Sequence, residues 1–534
     1  MAIVELGNVH STVWDISVDS VHALDKALAV ITPNYVFAES YQAGFWDGYT
    51  RFYDAGKAKF PTGLVVEAIK AIRKAGEKVE IVDSRNYIEV NIPDEITLLH
   101  EELGTITLRD YQYDSVVKGF EATRGIVNVA TNGGKTEIAC GIMKTVLPSL
   151  KEGERIVFFT HSKEIFVQSH KRIQERLGIK VGKIGDGKWE DEQVIVAMIP
   201  TITKNLKKPK TLPNIKKYKD MKAEVAELKI GADAGSEVFA KEHKVKKAEL
   251  KAYEKEQWAK IKANVKRTQE LLDSVVTFVV DEAHHSSADT WYRVLMALEN
   301  AYYRFGLTGT ISDKEEEKID TMKLHGCTGD ILSTVSNKFL IDEGHSAKPT
   351  IYMLSLDKAK SILHQPYSEA RRLGIIENYA RNRIFSDKIL ERAEIGKQCL
   401  IIVNETEHGE AVLEYLKHIG KDRVTIKFTH GDKTDKHRAD VLAELRSGEL
   451  RVLIATSILD EGVDVSGINC LFLMAGGKSM RQLLQRIGRG LRKKEDGSGL
   501  EVYDALDYHN EYLVDHTIQR YNTYKKEGFD IVKL

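Results

Sequence analysis

Residues 125–147 read GIVNVATNGGKTEIACGIMKTVL. A β-branched apolar run (GIVNVA), a four-residue turn (TNGG) and a helix-forming stretch (EIACGIMKTVL) follow one another around Lys135 and Thr136. A strand that ends in a tight turn at a helix start aims backbone N–H groups at an anion, and the helix dipole adds positive charge at the same point. The stretch therefore predicts a phosphate-binding loop. Lys135 is its cation for the β- and γ-phosphates, Thr136 its magnesium hydroxyl, and Gly133 and Gly134 allow close backbone approach. Val129 stands where the GxxxxGK[ST] pattern has its first glycine, and Asn132 occupies a turn position where left-handed geometry suits asparagine. The competing reading is a plain strand-turn-helix without a ligand.

Outward from this loop the same rhythm continues. GIVNVA, RIVFFTH, QVIVAM, VVTFVVDEA and RFGLTGT are strand candidates separated by amphipathic helical stretches, which predicts a parallel sheet covered by helices. It recurs after about residue 345 with CLIIVN, VTIKFTHG, RVLIAT and CLFLMAG, divided by helices such as EHGEAVLEYLKHIG. The first hundred residues read as a separate small α+β domain with one clear helix, GLVVEAIKAIRKAG, preceded by the aromatic stretch YQAGFWDGYTRFYDAGKAKF. The expected organisation is residues 1–100 as an accessory domain, 101–340 as a first α/β domain and 341–534 as a second. Within the first, residues 204–270 carry 19 Lys+Arg against 10 Asp+Glu and have helix-forming composition, so a protruding helical hairpin is expected. Two readings of that hairpin stay open: a solvated insertion, or a nucleic-acid contact.

A chain of 534 residues with 42% hydrophobic content can bury two or three cores. Its net charge of -1 means that any polyanion-binding surface has to be local. Cys140, Cys327, Cys399 and Cys470 show no CxxC pairing, so neither a disulfide framework nor structural zinc is expected. The longest apolar runs are strand-sized and the amino terminus lacks a signal-peptide layout, which predicts a cytoplasmic protein with no membrane partner.

Two further constellations bear on chemistry. VVTFVVDEAHH puts Asp281 and Glu282 at the end of an apolar strand, at the carboxyl edge of a parallel sheet. Asp281 is the expected magnesium carboxylate and Glu282 the base toward an attacking water, against the plain alternative of two acids complementing a helix dipole. QRIGRGLRKK sets Arg489 and Arg492 one helical turn apart, able to face a transferring phosphoryl group together, although the string alone is also an ordinary basic helix.

These segments together resemble the superfamily 2 helicases over about residues 108–511. LRDYQ resembles the adenine-reading Q motif, ATNGGKT motif I, DEAHH motif II and LTGT (307–310) motif III; LIIVN resembles motif IV, ATSILDEGVDV motif V and QRIGRGLR motif VI. The chain departs from the pattern at Val129 and Asn132, and at THSKE (160–164), where many relatives carry a Pro-Thr pair. The DEAHH and LTGT forms, and the amino-terminal FWDGYTRFY, narrow the resemblance to the phage UvsW and XPB-like DNA helicases. It implies two tandem RecA-like domains with ATP and Mg2+ in the cleft between them. Arg109, Gln112, Thr131, Asn132, Gly133, Gly134, Lys135, Thr136, Gly462 and Asp464 would hold the nucleotide, Thr136 and Asp281 the metal, and Gln485, Arg489 and Arg492 would act with Lys135 and Glu282 in hydrolysis.

Nucleic acid would cross both domains along strand-end loops that grip phosphates, with Thr160, Thr201 and Thr456 as candidate contacts, each equally a cap. In UvsW-like proteins the small amino-terminal domain contributes to binding duplex or branched DNA. For Phe45 and Trp46 the simpler expectation is core aromatics beside an Asp47-Gly48 turn. The implied activity is an ATP-dependent DNA helicase that remodels branched DNA, in host cytoplasm if the chain is phage-encoded, beside recombination or replication proteins. Alternatives are an RNA helicase, a duplex translocase subunit serving a partner nuclease, and a nucleic-acid-binding protein with a decayed ATP site.

Overall fold

The computed structural model describes the whole chain except residues 214, 285–288, 310, 312–316, 357–361, 421–422, 457–467, 478–486 and 489–498. Three sheets organise it. Near the amino terminus, four strands in the order Lys59–Pro61, His10–Trp14, Ala2–Leu6 and Val79–Asp83 carry the helices Val18–Ala27 and Val65–Lys74. The second sheet has eight strands, ordered Lys188–Glu190, Gly182–Gly185, Val194–Met198, Arg155–Thr160, Val275–Val280, Tyr303–Thr308, Arg124–Val129 and Ile331–Val335. All its neighbours are parallel except the first pair. The third has seven parallel strands, ordered Ile426–Thr429, Val452–Ala455, Cys399–Ile402, Cys470–Leu473, Glu501–Leu506, Thr350–Ser355 and Asp530–Lys533.

The physical reason for this architecture is legible strand by strand. VVTFVV at 275–280 is buried along its whole length, as a strand covered by helices on both faces has to be. Each such valine or phenylalanine contributes roughly 1.5–3 kcal/mol on burial. Every strand candidate named from the sequence forms one, whereas Gly182–Gly185, Lys188–Glu190, Ile331–Val335, Thr350–Ser355, Glu501–Leu506 and Asp530–Lys533 carry weaker patterns and complete the two large sheets. Cys399 and Cys470, far apart in sequence, are register partners on neighbouring strands, and both are free thiols.

The insertion is a helical hairpin, Lys216–Asp233 against Glu237–Ser274. Tyr218 and Tyr253 stack across it, and the Tyr218 hydroxyl donates to Glu254 Oε1 at 2.8 Å.

The amino-terminal unit is fastened to the second sheet through polar contacts around two buried arginines. Asn8 donates its amide to the Glu299 carbonyl at 3.0 Å and accepts from Arg124 Nη2 at 2.7 Å through its own carbonyl. Gly63 lies so close to the helix Lys318–Thr328 that a Cβ would sit 1.9 Å from the His325 carbonyl oxygen, so only glycine permits this approach. The expectation that Phe45 is a core aromatic is overturned: its ring is 89% exposed. The Asp47 carboxylate explains why, since it accepts from the Tyr49 N–H and pairs with Arg51, fixing a polar turn that turns Phe45 outward. Trp46 is partly buried and donates its indole N–H to the Tyr49 carbonyl.

Arg304 and Arg124 make a matched test of buried charge. The Arg304 guanidinium donates to the carbonyls of Cys327, Leu298 and Leu295, and burial brings its pKa down to about 10. Arg124 is equally enclosed and pushed down by burial, but its Nε and Nη1 have no hydrogen-bond partner among the described residues. Arg304→Met should lower thermal stability by roughly 3 kcal/mol or more, because three buried carbonyls lose their donors. Arg124→Met should be neutral or stabilising, a contrast that calorimetric melting of the two variants reads directly.

Candidate functional site

The strand Arg124–Val129 ends at Ala130, whose N–H bonds the Val335 carbonyl at 2.9 Å and so anchors the loop to the neighbouring strand. The chain then turns through Asn132, with φ of 72°, and Gly134, with φ of 79°, which caps the helix Lys135–Val146. Asparagine tolerates the left-handed region better than other residues with a side chain, which explains its presence where a glycine is usual. Val129 faces the buried core, and a Cβ on Gly133 would fall 2.2 Å from Val129 Cγ1. The Val129 departure is thus a packing arrangement, in which valine fills the strand end and glycine at 133 makes room for it, while the Asn132 departure follows from its left-handed φ.

Three strand ends along the same edge meet this loop. Asp281 and Glu282 follow the strand Val275–Val280, where the Asp281 N–H bonds the Phe159 carbonyl and Asp281 Oδ1 accepts from the Glu282 N–H at 2.9 Å. Glu282 holds φ of 49°, a left-handed conformation that costs a residue with a side chain about 1–3 kcal/mol. That turn brings Glu282 Oε1 within 2.9 Å of Lys135 Nζ. Loss of water and the neighbouring Glu282 carboxylate push Asp281 up to about 6, while the Lys135 ammonium acts in the opposite sense. His284 Nδ1 lies 3.1 Å from Thr308 Oγ1, tying the acidic strand end to the LTGT segment. Gly309 approaches the loop closely enough that a Cβ would be 3.6 Å from Lys135 Nζ.

Gln112 sits at the start of the helix Asp110–Ala122, where its Oε1 accepts from the Arg109 N–H and its Nε2 donates to the Gly133 carbonyl at 3.1 Å. One end of this amide therefore caps its own helix start and the other braces the loop. Tyr111, which sequence reasoning did not single out, donates its hydroxyl to the same Gly133 carbonyl at 2.9 Å and lies 3.1 Å from Arg109 Nη1. Its only signal in the sequence was adjacency to Gln112.

The seven-stranded unit also reaches the loop. Asn132 Nδ2 donates to the Gly488 carbonyl at 2.7 Å, and a Cβ on Gly488 would lie 2.6 Å from Thr131 Cβ. Gly462, Asp464, Gln485, Arg489 and Arg492 lie outside the described residues.

The three nucleic-acid candidates differ in exposure. Thr160 is fully buried and Thr456 nearly so, and each hydroxyl is enclosed at a strand end rather than presented at the surface. Only Thr201, in the helix Ile199–Asn205, keeps partial exposure.

Comparison with known proteins bears on this geometry. The model described as "Type III restriction enzyme, res subunit" matches residues 105–313, and "Helicase conserved C-terminal domain" matches 381–494, one on each large sheet. The chain is 21% identical over 538 residues to the ATP-dependent DNA helicase UvsW of Enterobacteria phage T4, covering 96% of this chain and 94% of that protein. The chain belongs to the superfamily 2 helicases. It is also 24% identical to the DNA 3'-5' translocase XPB2 of Sulfurisphaera tokodaii, over 86% of this chain and 92% of that one. In fold it matches a fragment assigned to the HsdR subunit of a type I restriction enzyme from Vibrio vulnificus YJ016, with TM-score 0.52, 16% identity, and coverage of 80% and 68%. As a helicase of this superfamily it hydrolyses ATP. Among the described residues no helix is long and apolar enough to cross a membrane.

The packing of Val129 against Gly133 gives a test. Gly133→Ala should weaken ATP binding at least about tenfold, because the added methyl has to displace Val129 or the loop. Adding Val129→Gly should recover part of that loss in a double-mutant cycle of nucleotide affinities, with a positive coupling between the two sites.

Proposed function

We propose that this chain is an ATP-driven DNA motor that remodels branched duplexes by branch migration, fork regression and limited unwinding. The observation that carries the reading is the meeting of two parallel-sheet units at one phosphate loop: Lys135 pairs with Glu282 on one side while Asn132 bonds the Gly488 carbonyl on the other. A cleft built this way closes on a triphosphate and reopens when the γ-phosphate contacts are lost, which converts hydrolysis into relative movement. Similarity to UvsW and XPB2 across most of the chain supports DNA as the polymer.

In this reading residues 1–100 are the accessory unit that engages branched DNA, 101–340 the first motor domain and 341–534 the second. The loop from Thr131 to Thr136 holds the phosphates, with Arg109 and Gln112 behind it, and Gly462 and Asp464 are assigned to the same nucleotide. Thr136 and Asp281 supply hard oxygen donors of the kind magnesium takes, and bound magnesium neutralises phosphate charge. Glu282 takes the proton of the attacking water, and Gln485, Arg489 and Arg492 are assigned to hydrolysis with it. Thr201 remains the phosphate-contact candidate on the exposed surface. The setting in this reading is cytoplasmic, host cytoplasm if the chain is phage-encoded, beside replication or recombination proteins.

The test is steady-state ATP hydrolysis at fixed salt with no nucleic acid, single-stranded DNA, duplex, a four-way junction and a matched RNA. The junction should stimulate most, and Lys135→Ala should lower kcat by about 100-fold or more. Strongest stimulation by RNA would transfer the assignment to an RNA helicase, and equal rates on all polymers would remove the remodelling role.

A further inference from the structure

The longer helix of the insertion, Glu237–Ser274, has 38 residues and is about 57 Å long. Only its last turns are seated in the domain: Thr268, Leu271 and Leu272 are buried, and the helix runs directly into the amino end of the strand Val275–Val280. Arg267 lies over the Trp189 ring at 4.1 Å. Trp189 pairs with Ile184, which is in register with Ala197, the penultimate residue of the strand Val194–Met198. Arg267 is thus already level with the carboxyl edge of the sheet. The 30 residues before it make about 45 Å of helix, none of it buried, so the greater part of the hairpin stands clear of the packed domain.

The chain between 204 and 219 contains seven lysines, Lys204, Lys207, Lys208, Lys210, Lys216, Lys217 and Lys219, and no Asp or Glu. All seven are exposed, and none makes an ion pair among the described residues. Elsewhere on the hairpin lysines alternate with acidic residues, and three of them form ion pairs: Lys246 with Glu224 and Glu249, Lys260 with Glu256 and Lys266 with Glu270. The unpaired group is held at the root of the arm. Lys208 lies over the Trp258 ring at 4.5 Å and Lys217 over Tyr253 at 5.1 Å, which places them roughly 13 and 21 Å along the helix from Arg267. These contacts cover the rings that could otherwise stack on unpaired bases, while leaving the ammonium charges at the surface. A cationic surface with its aromatic faces already occupied suits the phosphates of a duplex rather than the bases of a single strand.

We propose that the lysine-rich root of the helical hairpin is a second DNA-binding surface, one that grips the phosphate backbone of duplex DNA beyond the motor cleft. It extends the DNA-motor reading and rests on it. Such a surface holds the unopened arm of a branched substrate while the two motor domains move along one strand.

The experiment compares the full-length wild type with a variant in which Lys207, Lys208, Lys210, Lys216, Lys217 and Lys219 are changed to Gln, and with the corresponding Lys→Arg variant. Both substitutions preserve helix propensity, and ATP hydrolysis without DNA reports that the motor is intact. Affinity for a blunt duplex and for a single strand of the same length is measured from 50 to 200 mM salt. The Gln variant should bind duplex about tenfold or more weakly, and its salt slope should be shallower by about 3 or more, since each lost phosphate contact removes about 0.9. The Arg variant should match wild type, and single-strand binding should change little. If wild-type hydrolysis is stimulated by DNA yet the Gln variant keeps its duplex affinity and slope, this inference alone is wrong. Equal loss on single strands, or tighter binding of an RNA duplex than of DNA, also overturns it. A wild type indifferent to every DNA refutes the motor reading itself.

Discussion

A parallel sheet delivers the carboxyl ends of all its strands to one edge, and the chemistry of this chain depends on that constraint. Lys135 and Glu282 are separated by 147 positions, yet their strands are only two apart in the sheet and both end at the same level. The resulting pair at 2.9 Å joins the phosphate loop to the acidic strand end. His284 and Thr308 extend the connection to the intervening strand. Because adjacent strands are hydrogen-bonded along their lengths, these groups are held by the sheet rather than by the loops alone.

The same edge sets how the rest of the molecule is attached. The second unit reaches the loop through the Gly488 carbonyl, and close packing against Thr131 makes glycine obligatory there. The insertion leaves after the strand Val194–Met198, whose carboxyl end lies on that edge, so a basic segment at residues 204–219 starts from the same side of the sheet as the phosphate loop. The amino-terminal unit is fixed elsewhere, around Asn8, Arg124 and Gly63, with Arg304 buried in the adjoining layer. That junction rests on the close backbone approach at Gly63 and the Asn8 amide bond to the Glu299 carbonyl, while the Arg124 charge adds one bond to the Asn8 carbonyl and leaves Nε and Nη1 unsatisfied.

The sequence by itself determined the strand-turn-helix around Lys135, the acidic strand end, the existence of the central strands and the presence of a helical insertion. Each is a local signal: a turn chemistry beside Lys135, an unbroken apolar run before Asp281, or a lysine-rich helical composition. Only the tertiary structure decided the use of those residues. Gln112 braces the Gly133 carbonyl because its helix start packs against the loop, and Tyr111 joins it for the same reason. Thr160 and Thr456 are withdrawn from the surface because neighbouring strands cover them, and Phe45 is turned outward by a carboxylate-guanidinium turn. Edge strands such as Ile331–Val335 escape a sequence reading because what holds them is pairing and packing against the partner strand, which their own weak apolar pattern does not record. Spacing along the chain records what a segment can form, while burial and approach between distant segments fix which of its groups remain available for chemistry.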